Sequence, residues 1–187
     1  MSKGINIAES VQKSFSTRTA SVSKPVVFLS HKSEDKDFVE SIGNYFIDAG
    51  IDIYLDKNDF KLQGAVAMNN PKKVTECIQE GISKSDYILC FASKNTVGSW
   101  WVPYEIGYGK KANKVIATLI KNDVTYIPDY LRIEETIEGI SGLNGFIKRI
   151  TIPRNMVLLE KYAYEFSSKD YINKSDISHP LAKYLKV

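Results

Sequence analysis

Short apolar runs recur along this chain with room for a helix between one and the next, and this alternation constrains the fold more than any other feature. Val26-Val27-Phe28-Leu29, Ile51-Asp52-Ile53-Tyr54-Leu55, Tyr87-Ile88-Leu89-Cys90-Phe91 and the stretch from Lys114 to Ile120 each read as a strand. The first has no polar interruption, the mark of a strand buried on both faces. Between the first two runs, Phe38, Ile42, Tyr45, Phe46 and Ala49 line one side of a helix. Ser33 is placed to cap that helix, Glu34 and Asp35 fall in its first turn, and Gly50 stops it. Val74, Ile78 and Ile82 mark a second helix. Parallel strands need a crossover of helical length, so the alternation predicts an α/β fold: a mostly parallel sheet with helices on both faces.

The remaining segments read less sharply. Residues 1–24 carry weak helical spacing at Ile5, Ile7, Val11 and Phe15, then a polar stretch from Ser14 to Ser23, and are expected to form an N-terminal extension and linker. Asp56 to about Pro71 reads as a loop. Beyond Tyr126, Ile127-Pro128-Asp129-Tyr130-Leu131 reads as a short helical turn, Glu138 to Ile150 as a longer helix and Pro153 to Phe166 as a terminal one. The expected organisation is an extension over 1–24, one α/β domain over 25–150 and a C-terminal helical extension over 151–187.

Composition narrows the function classes. The 187 residues are 43% hydrophobic and 25% charged, the balance of a soluble globular protein able to bury an ordinary core. A net charge of +3, spread along the chain, gives no basis for a nucleic-acid partner. No apolar run approaches the roughly 20 residues that span a bilayer, so no membrane partner is expected. The first residues lack the apolar core of a secretion signal, and Cys77 and Cys90 sit in apolar contexts as small buried hydrophobes of a reducing compartment. A cytoplasmic location is expected. His31 and His179 stand far apart and the cysteines lack ligand spacing, so no metal is expected either. Glycine-rich phosphate loops, a GxSxG elbow and a Cys/His dyad are missing from the sequence.

The segment Ser99-Trp100-Trp101-Val102-Pro103-Tyr104-Glu105 carries the most chemical information. If a helix has begun by Trp101, the indole and the Glu105 carboxylate lie one above the other on the same face, an arrangement suited to a planar, cationic substrate. Taken alone, a glutamate early in a helix is more often a solvated residue favoured by the helix dipole. Ser30-His31, Asp56 and Trp101/Glu105 all fall just after strand ends, however, and open parallel sheets bind ligands there.

Val27-Phe28-Leu29-Ser30-His31-Lys32-Ser33-Glu34-Asp35 resembles the first signature box of Toll/interleukin-1 receptor (TIR) domains. Ile51 to Asp56 resembles their second strand with its terminal aspartate, and Gly81 to Asp86 their helix-to-strand turn. Ser99 to Gly107 resembles the segment that bears the family's catalytic glutamate, here Glu105. The similarity runs from about Pro25 to Ile150 and implies a flavodoxin-like TIR fold with five strands. It further resembles the bacterial TIR proteins that cleave nicotinamide from NAD+, including the NAD-cleaving component of Thoeris-type anti-phage defence. That resemblance implies NAD+ as substrate with no resident cofactor, and self-association through TIR surfaces. It also implies a separate effector protein, reached through a diffusible product such as cyclic ADP-ribose. The stretch Lys57-Asn58-Asp59-Phe60-Lys61-Leu62-Gln63-Gly64 departs from the animal and plant pattern, having no Arg-Asp pair and no Pro-Gly.

The chemistry agrees with the residues. The pyridinium of NAD+ leaves as neutral nicotinamide and needs no protonation, so one carboxylate that stabilises the oxocarbenium-like charge at the anomeric carbon is enough. Glycosidases, which expel a poor leaving group, use two. Around Glu105, Ser30 and His31 open a loop whose backbone N–H groups can hold a phosphate or the nicotinamide amide, although His31 reads equally as part of a structural turn. Lys32 is a phosphate partner or an ordinary exposed lysine. Asp56 orders the ribose pocket or caps its loop. Trp101 is expected to stack on a ring of the substrate and Trp100 to be the core partner of the pair, while Tyr104 and Tyr108 read equally as packing. Phe60 and Leu62, apolar in a polar loop, are assembly contacts or pack on their own domain. Two rival functions stay open: a non-catalytic TIR assembly or signalling module, and, third, a nucleoside deoxyribosyltransferase-like enzyme. Residues 151–187 are too few for a further domain of ordinary size, which favours a diffusible signal over direct action.

Overall fold

The computed structural model describes residues 3–9, 24–55, 59–151 and 179–187. Asp56, Val11, Phe15, the Ser14 to Ser23 stretch and the terminal helix expected over Pro153 to Phe166 lie outside them. Along the chain run β1 (Val26–Ser30), α1 (Lys36–Asp48), β2 (Asp52–Tyr54), α2 (Phe60–Ala67), α3 (Pro71–Ser83) and β3 (Tyr87–Ala92). There follow α4 (Trp101–Lys111), β4 (Val115–Ile120), α5 (Asp129–Arg132), β5 (Glu135–Glu138) and α6 (Gly139–Thr151). The five strands form one parallel sheet in the order β2-β1-β3-β4-β5, the flavodoxin-like arrangement. Residue patterning alone identifies four of these strands. In β5, Ile137 is the single buried residue, flanked by Glu135, Thr136 and Glu138, as suits a charged strand at the sheet's edge.

Residue parity along the strands divides the core into two layers, because successive side chains point to opposite faces. Val27, Leu29, Ile53, Leu89, Phe91, Ala117 and Leu119 face α1 and α6. Phe28, Tyr54, Ile88, Cys90 and Ile116 face the layer built from α2 to α5. Leu181 and Leu185, in the turns of residues 179–187, complete the first layer, where the Ile140 N–H donates to the Lys186 carbonyl at 2.9 Å. Gly50, with φ at +86°, closes α1 and lets the chain turn straight into β2.

Three local expectations are corrected. Ser33 does not cap α1: its hydroxyl donates to Glu34 at 2.9 Å, and Ser33–Asp35 form a separate 3-10 turn. The stretch read as a loop after Asp56 contains α2, capped by the Asp59 carboxylate, which accepts from the N–H groups of Lys61 at 2.9 Å and Leu62 at 3.2 Å. Asp59 also accepts from the Tyr54 hydroxyl, tying α2 to the end of β2. Finally, Ile5 and Ile7 follow a strand period rather than a helical one. The Ile53 N–H donates to the Ile5 carbonyl and the Ile7 N–H to the Ile53 carbonyl, both at 2.9 Å, so Ile5 to Ile7 lie along the open edge of β2 before the chain turns at residues 7–9.

Asn6 holds that edge segment in place, its buried side-chain oxygen accepting from the N–H groups of Leu55 at 3.1 Å and Ala8 at 3.2 Å. Asn6→Ala leaves both donors without this acceptor and is expected to lower unfolding free energy by about 1–3 kcal/mol in urea. An unchanged denaturation midpoint would show that the Asn6 side chain adds nothing to the fold.

Candidate active site

In the order β2-β1-β3-β4-β5 the direction of connection reverses between β1 and β3, which opens a crevice beyond their carboxyl ends. Helix α4 enters that region with Val102, Glu105, Ile106 and Gly109 buried. Positions i, i+3, i+4 and i+7 make one helical face, and it packs on the sheet. A Cβ at Gly109 would run into the Ile88 side chain, so the glycine permits the close approach of α4 to β3.

One turn before Gly109, the Glu105 carboxylate is only 4% exposed. The Ser30 hydroxyl, at the end of β1, donates to its Oε2 at 2.6 Å. Ser30 falls on the same parity as Phe28 and therefore points to the α4 side; Cys90 stands beside it in register on β3. Burial, and after it the neighbouring Glu105 charge, push the Cys90 thiol well above its usual range, so it stays protonated. Tyr130, half-buried on α5, is pushed up to about 12 by burial first and then by Cys90 and Glu105.

The helix beginning at Trp101 puts Trp101 and Glu105 on adjoining parts of one flank, but the two differ in burial. Trp101 is 41% exposed, edge-on to Tyr104 at 6.0 Å, and Tyr104 stacks on Tyr108 at 6.4 Å. Gln79 donates to the Tyr104 hydroxyl at 2.6 Å, which fastens this aromatic row to α3. Trp100 is not the core partner expected of it. It is 90% exposed, because it precedes the helix on the side opposite Val102 and Ile106, which take the core positions.

His31 and Lys32 follow Ser30 directly. His31 turns back on its own strand, its Nδ1 donating to the Leu29 carbonyl at 2.9 Å, and Lys32 lies 3.8 Å from Glu34 with its side chain 30% exposed. Asp56 lies outside the described residues. Phe60 opens α2 and is 68% exposed, whereas Leu62 packs on the core layer beneath α2. No group of three or more His, Cys, Asp or Glu side chains among the described residues comes together to hold a metal ion. Among those same residues, no helix is long and apolar enough to cross a membrane.

Two features of the crevice are not legible in the sequence reading. One is Tyr130, which lies in a segment with no strand-end motif. The other is Asp35, which looks like an ordinary first-turn acid but is 4% exposed. Its carboxylate accepts from the Ser93 hydroxyl and from Asn95 Nδ2 at 2.9 Å, joining the connection after β1 to the connection after β3 across the mouth of the crevice. Thr96 reinforces the second connection, donating to the Phe91 carbonyl at 2.8 Å and accepting from the Ser93 N–H at 2.9 Å.

A model of the TIR domain family matches residues 27–145, and the chain belongs to that family. The NAD(+) hydrolase TirS of Staphylococcus aureus (strain MSSA476) is 35% identical over 80 residues. That match spans 42% of this chain and 26% of the relative, so about a quarter of the relative's length is covered. Among solved structures, the CMP N-glycosidase BcmB of Clostridium botulinum aligns with a TM-score of 0.41 at 17% identity, over 59% of this chain and 84% of that one.

Removing the Asp35 carboxylate strands the donors of Ser93 and Asn95. Asp35→Ala is expected to cost about 2–3 kcal/mol of stability. Asp35→Asn, which keeps one acceptor oxygen, is expected to cost less. Thermal and urea unfolding of both variants measure this, and equal stability of Asp35→Ala and the unaltered chain would rule the latch out.

Proposed function

We propose that this chain cleaves the bond between nicotinamide and ribose in NAD+, with Glu105 as the catalytic carboxylate. One observation carries the reading: a carboxylate is held almost fully buried at the carboxyl end of a parallel sheet, beside the point where its connections reverse. Burying a carboxylate carries a desolvation cost, and charged groups held at that cost in a crevice cluster at functional sites. Family membership and the similarity to a staphylococcal NAD(+) hydrolase support the same chemistry.

In this mechanism Glu105 hydrogen-bonds the ribose hydroxyls next to the scissile bond. As the pyridinium departs with the bonding electron pair and becomes neutral, positive charge grows on the anomeric carbon and ring oxygen. A fixed negative charge in a poorly hydrated site stabilises that charge without reorganising water. Trp101 offers an indole face at the entrance, and the backbone of Ser30-His31-Lys32 borders the rest of the pocket. After nicotinamide leaves, the cation is captured by water, by an adenine nitrogen or by another nucleophile. A water-poor crevice favours the alternatives to hydrolysis. We assign the product as an ADP-ribose-derived signal that a separate effector reads in cytoplasmic anti-phage defence of the Thoeris type.

Glu105→Gln tests the assignment, since the amide keeps the shape but cannot neutralise the developing charge. Nicotinamide release is expected to fall by about 100-fold or more, with the unfolding temperature changed little. The products are identified by mass spectrometry of the same mixtures. Activity within threefold of the unaltered chain would remove Glu105 from the mechanism. ADP-ribose as the sole product would exclude the signalling role.

Self-association belongs to the same reading. Phe60, Val66 and Met68 expose 68%, 61% and 81% of their surfaces along and just beyond α2, a concentration of apolar side chains that a second copy would cover. Phe60→Ser is expected to make specific activity fall steeply on dilution while the fold is retained. Activity independent of enzyme concentration in both proteins would argue that single copies suffice.

A further inference from the structure

We infer that Ser30 is a positioning residue for Glu105, its hydroxyl fixing the carboxylate in its charged form and in one orientation, rather than a group that contacts substrate. The inference rests on Glu105 being the catalytic carboxylate. Three geometric facts carry it. The Ser30 hydroxyl donates to Glu105 Oε2 at 2.6 Å, in the short range of charge-assisted bonds. Both side chains are buried, at 1% and 4% exposure, so water does not replace this bond easily. The two partners also sit on regular structure: Ser30 ends a strand paired on β3, and Glu105 lies in the second turn of α4.

The surroundings give the bond its direction. A hydroxyl has one proton, and Cys90, in register beside Ser30, offers a sulfur as an alternative acceptor. Burial keeps Cys90 as a neutral thiol, a far weaker acceptor than a carboxylate, so the Ser30 proton goes to Glu105, 2.6 Å away. A hydrogen bond to the ionised form favours ionisation. The hydroxyl therefore serves the step in which Glu105 must be negative, and it does so before substrate arrives. A group already engaged in this way is poorly placed to bind a phosphate or an amide.

The experiment compares the unaltered chain with Ser30→Ala, Ser30→Thr and Glu105→Gln for nicotinamide release from NAD+ between pH 4 and 8. Ser30→Ala is expected to lower kcat by on the order of ten- to a hundred-fold, the effect of losing one hydrogen bond to a charged group. KM should stay within about threefold, and the acidic limb of the kcat profile should move to higher pH. Ser30→Thr, which retains the hydroxyl, is expected to bring the acidic limb back. Carbon-13 titration of the glutamate side chains, with the Glu105 signal assigned by its loss in Glu105→Gln, should show the same upward movement in Ser30→Ala without any need for turnover. A rise in KM alone, with kcat and the acidic limb unmoved, would make Ser30 a substrate contact and overturn the inference. An inactive Glu105→Gln beside a fully active Ser30→Ala would overturn it while leaving Glu105 in place. Full activity in Glu105→Gln would overturn both.

Discussion

A carboxylate buried against a parallel sheet is the constraint around which the rest of this molecule is arranged. Taking an ion out of water costs several kcal/mol even after the protein relaxes, so Glu105 needs donors where it lies. Strand parity supplies one: Ser30 falls on the side of β1 that faces α4, and its hydroxyl meets the carboxylate. Gly109 lets the helix sit close enough for the contact. Burial first, and the Glu105 charge after it, raise the proton affinity of Cys90 and Tyr130, which stay neutral. An apolar side chain at position 105 would pack in the same layer as Val102 and Ile106 without any of these provisions. Where local packing preference is set aside in this way, function is the usual reason.

Other buried carboxylates in the fold clarify what is unusual about this one. Asp35 gathers the hydroxyl of Ser93 and the amide of Asn95, Asp59 gathers backbone N–H groups and the Tyr54 hydroxyl, and Asp52 accepts from the Ile5 N–H at 3.0 Å. Each fastens an irregular segment in place by accepting from donors of that segment or of its neighbour. Glu105 stands between a helix and a strand that already pack through apolar residues, so its hydrogen bond orients the carboxylate more than it supports the backbone.

Much of the fold was legible because burial on both faces leaves a plain signal. Val26 to Leu29 and Tyr87 to Phe91 have no polar residue to blur them, and Phe38, Ile42 and Phe46 keep a helical period that ends at a glycine. β5 was hidden in the residue pattern because an edge strand with one buried isoleucine looks like any polar connection. The edge segment at residues 5–7 was misread because Ile5 and Ile7 fit two periods, and only pairing with β2 distinguishes them. At the site, the spacing of Trp101 and Glu105 was readable from helix geometry. The contact between Ser30 and Glu105 was not, since it spans 75 positions and depends on how α4 crosses the sheet. Trp100 was misplaced for a related reason: which of two adjacent tryptophans turns inward is decided by the phase of Val102 and Ile106.

The helix after β2 changes what an assembly contact can look like. Two apolar residues in a flexible loop could turn together toward a partner, but on α2 a separation of two residues sends Phe60 and Leu62 to different sides. Leu62 packs inward on its own domain and only Phe60 remains outward, so the surface available to a second copy is a helix face rather than a loop tip. The cap at Asp59 holds the first turn of that helix in a fixed conformation before any partner arrives. A preordered surface loses less conformational entropy on association than a loop does, so a small apolar contact can suffice. The hydrogen bond from Tyr54 to Asp59 anchors α2 at the end of β2, on the same side of the sheet as Glu105. Contact between copies at α2 would therefore press on an element that borders the layer holding Glu105.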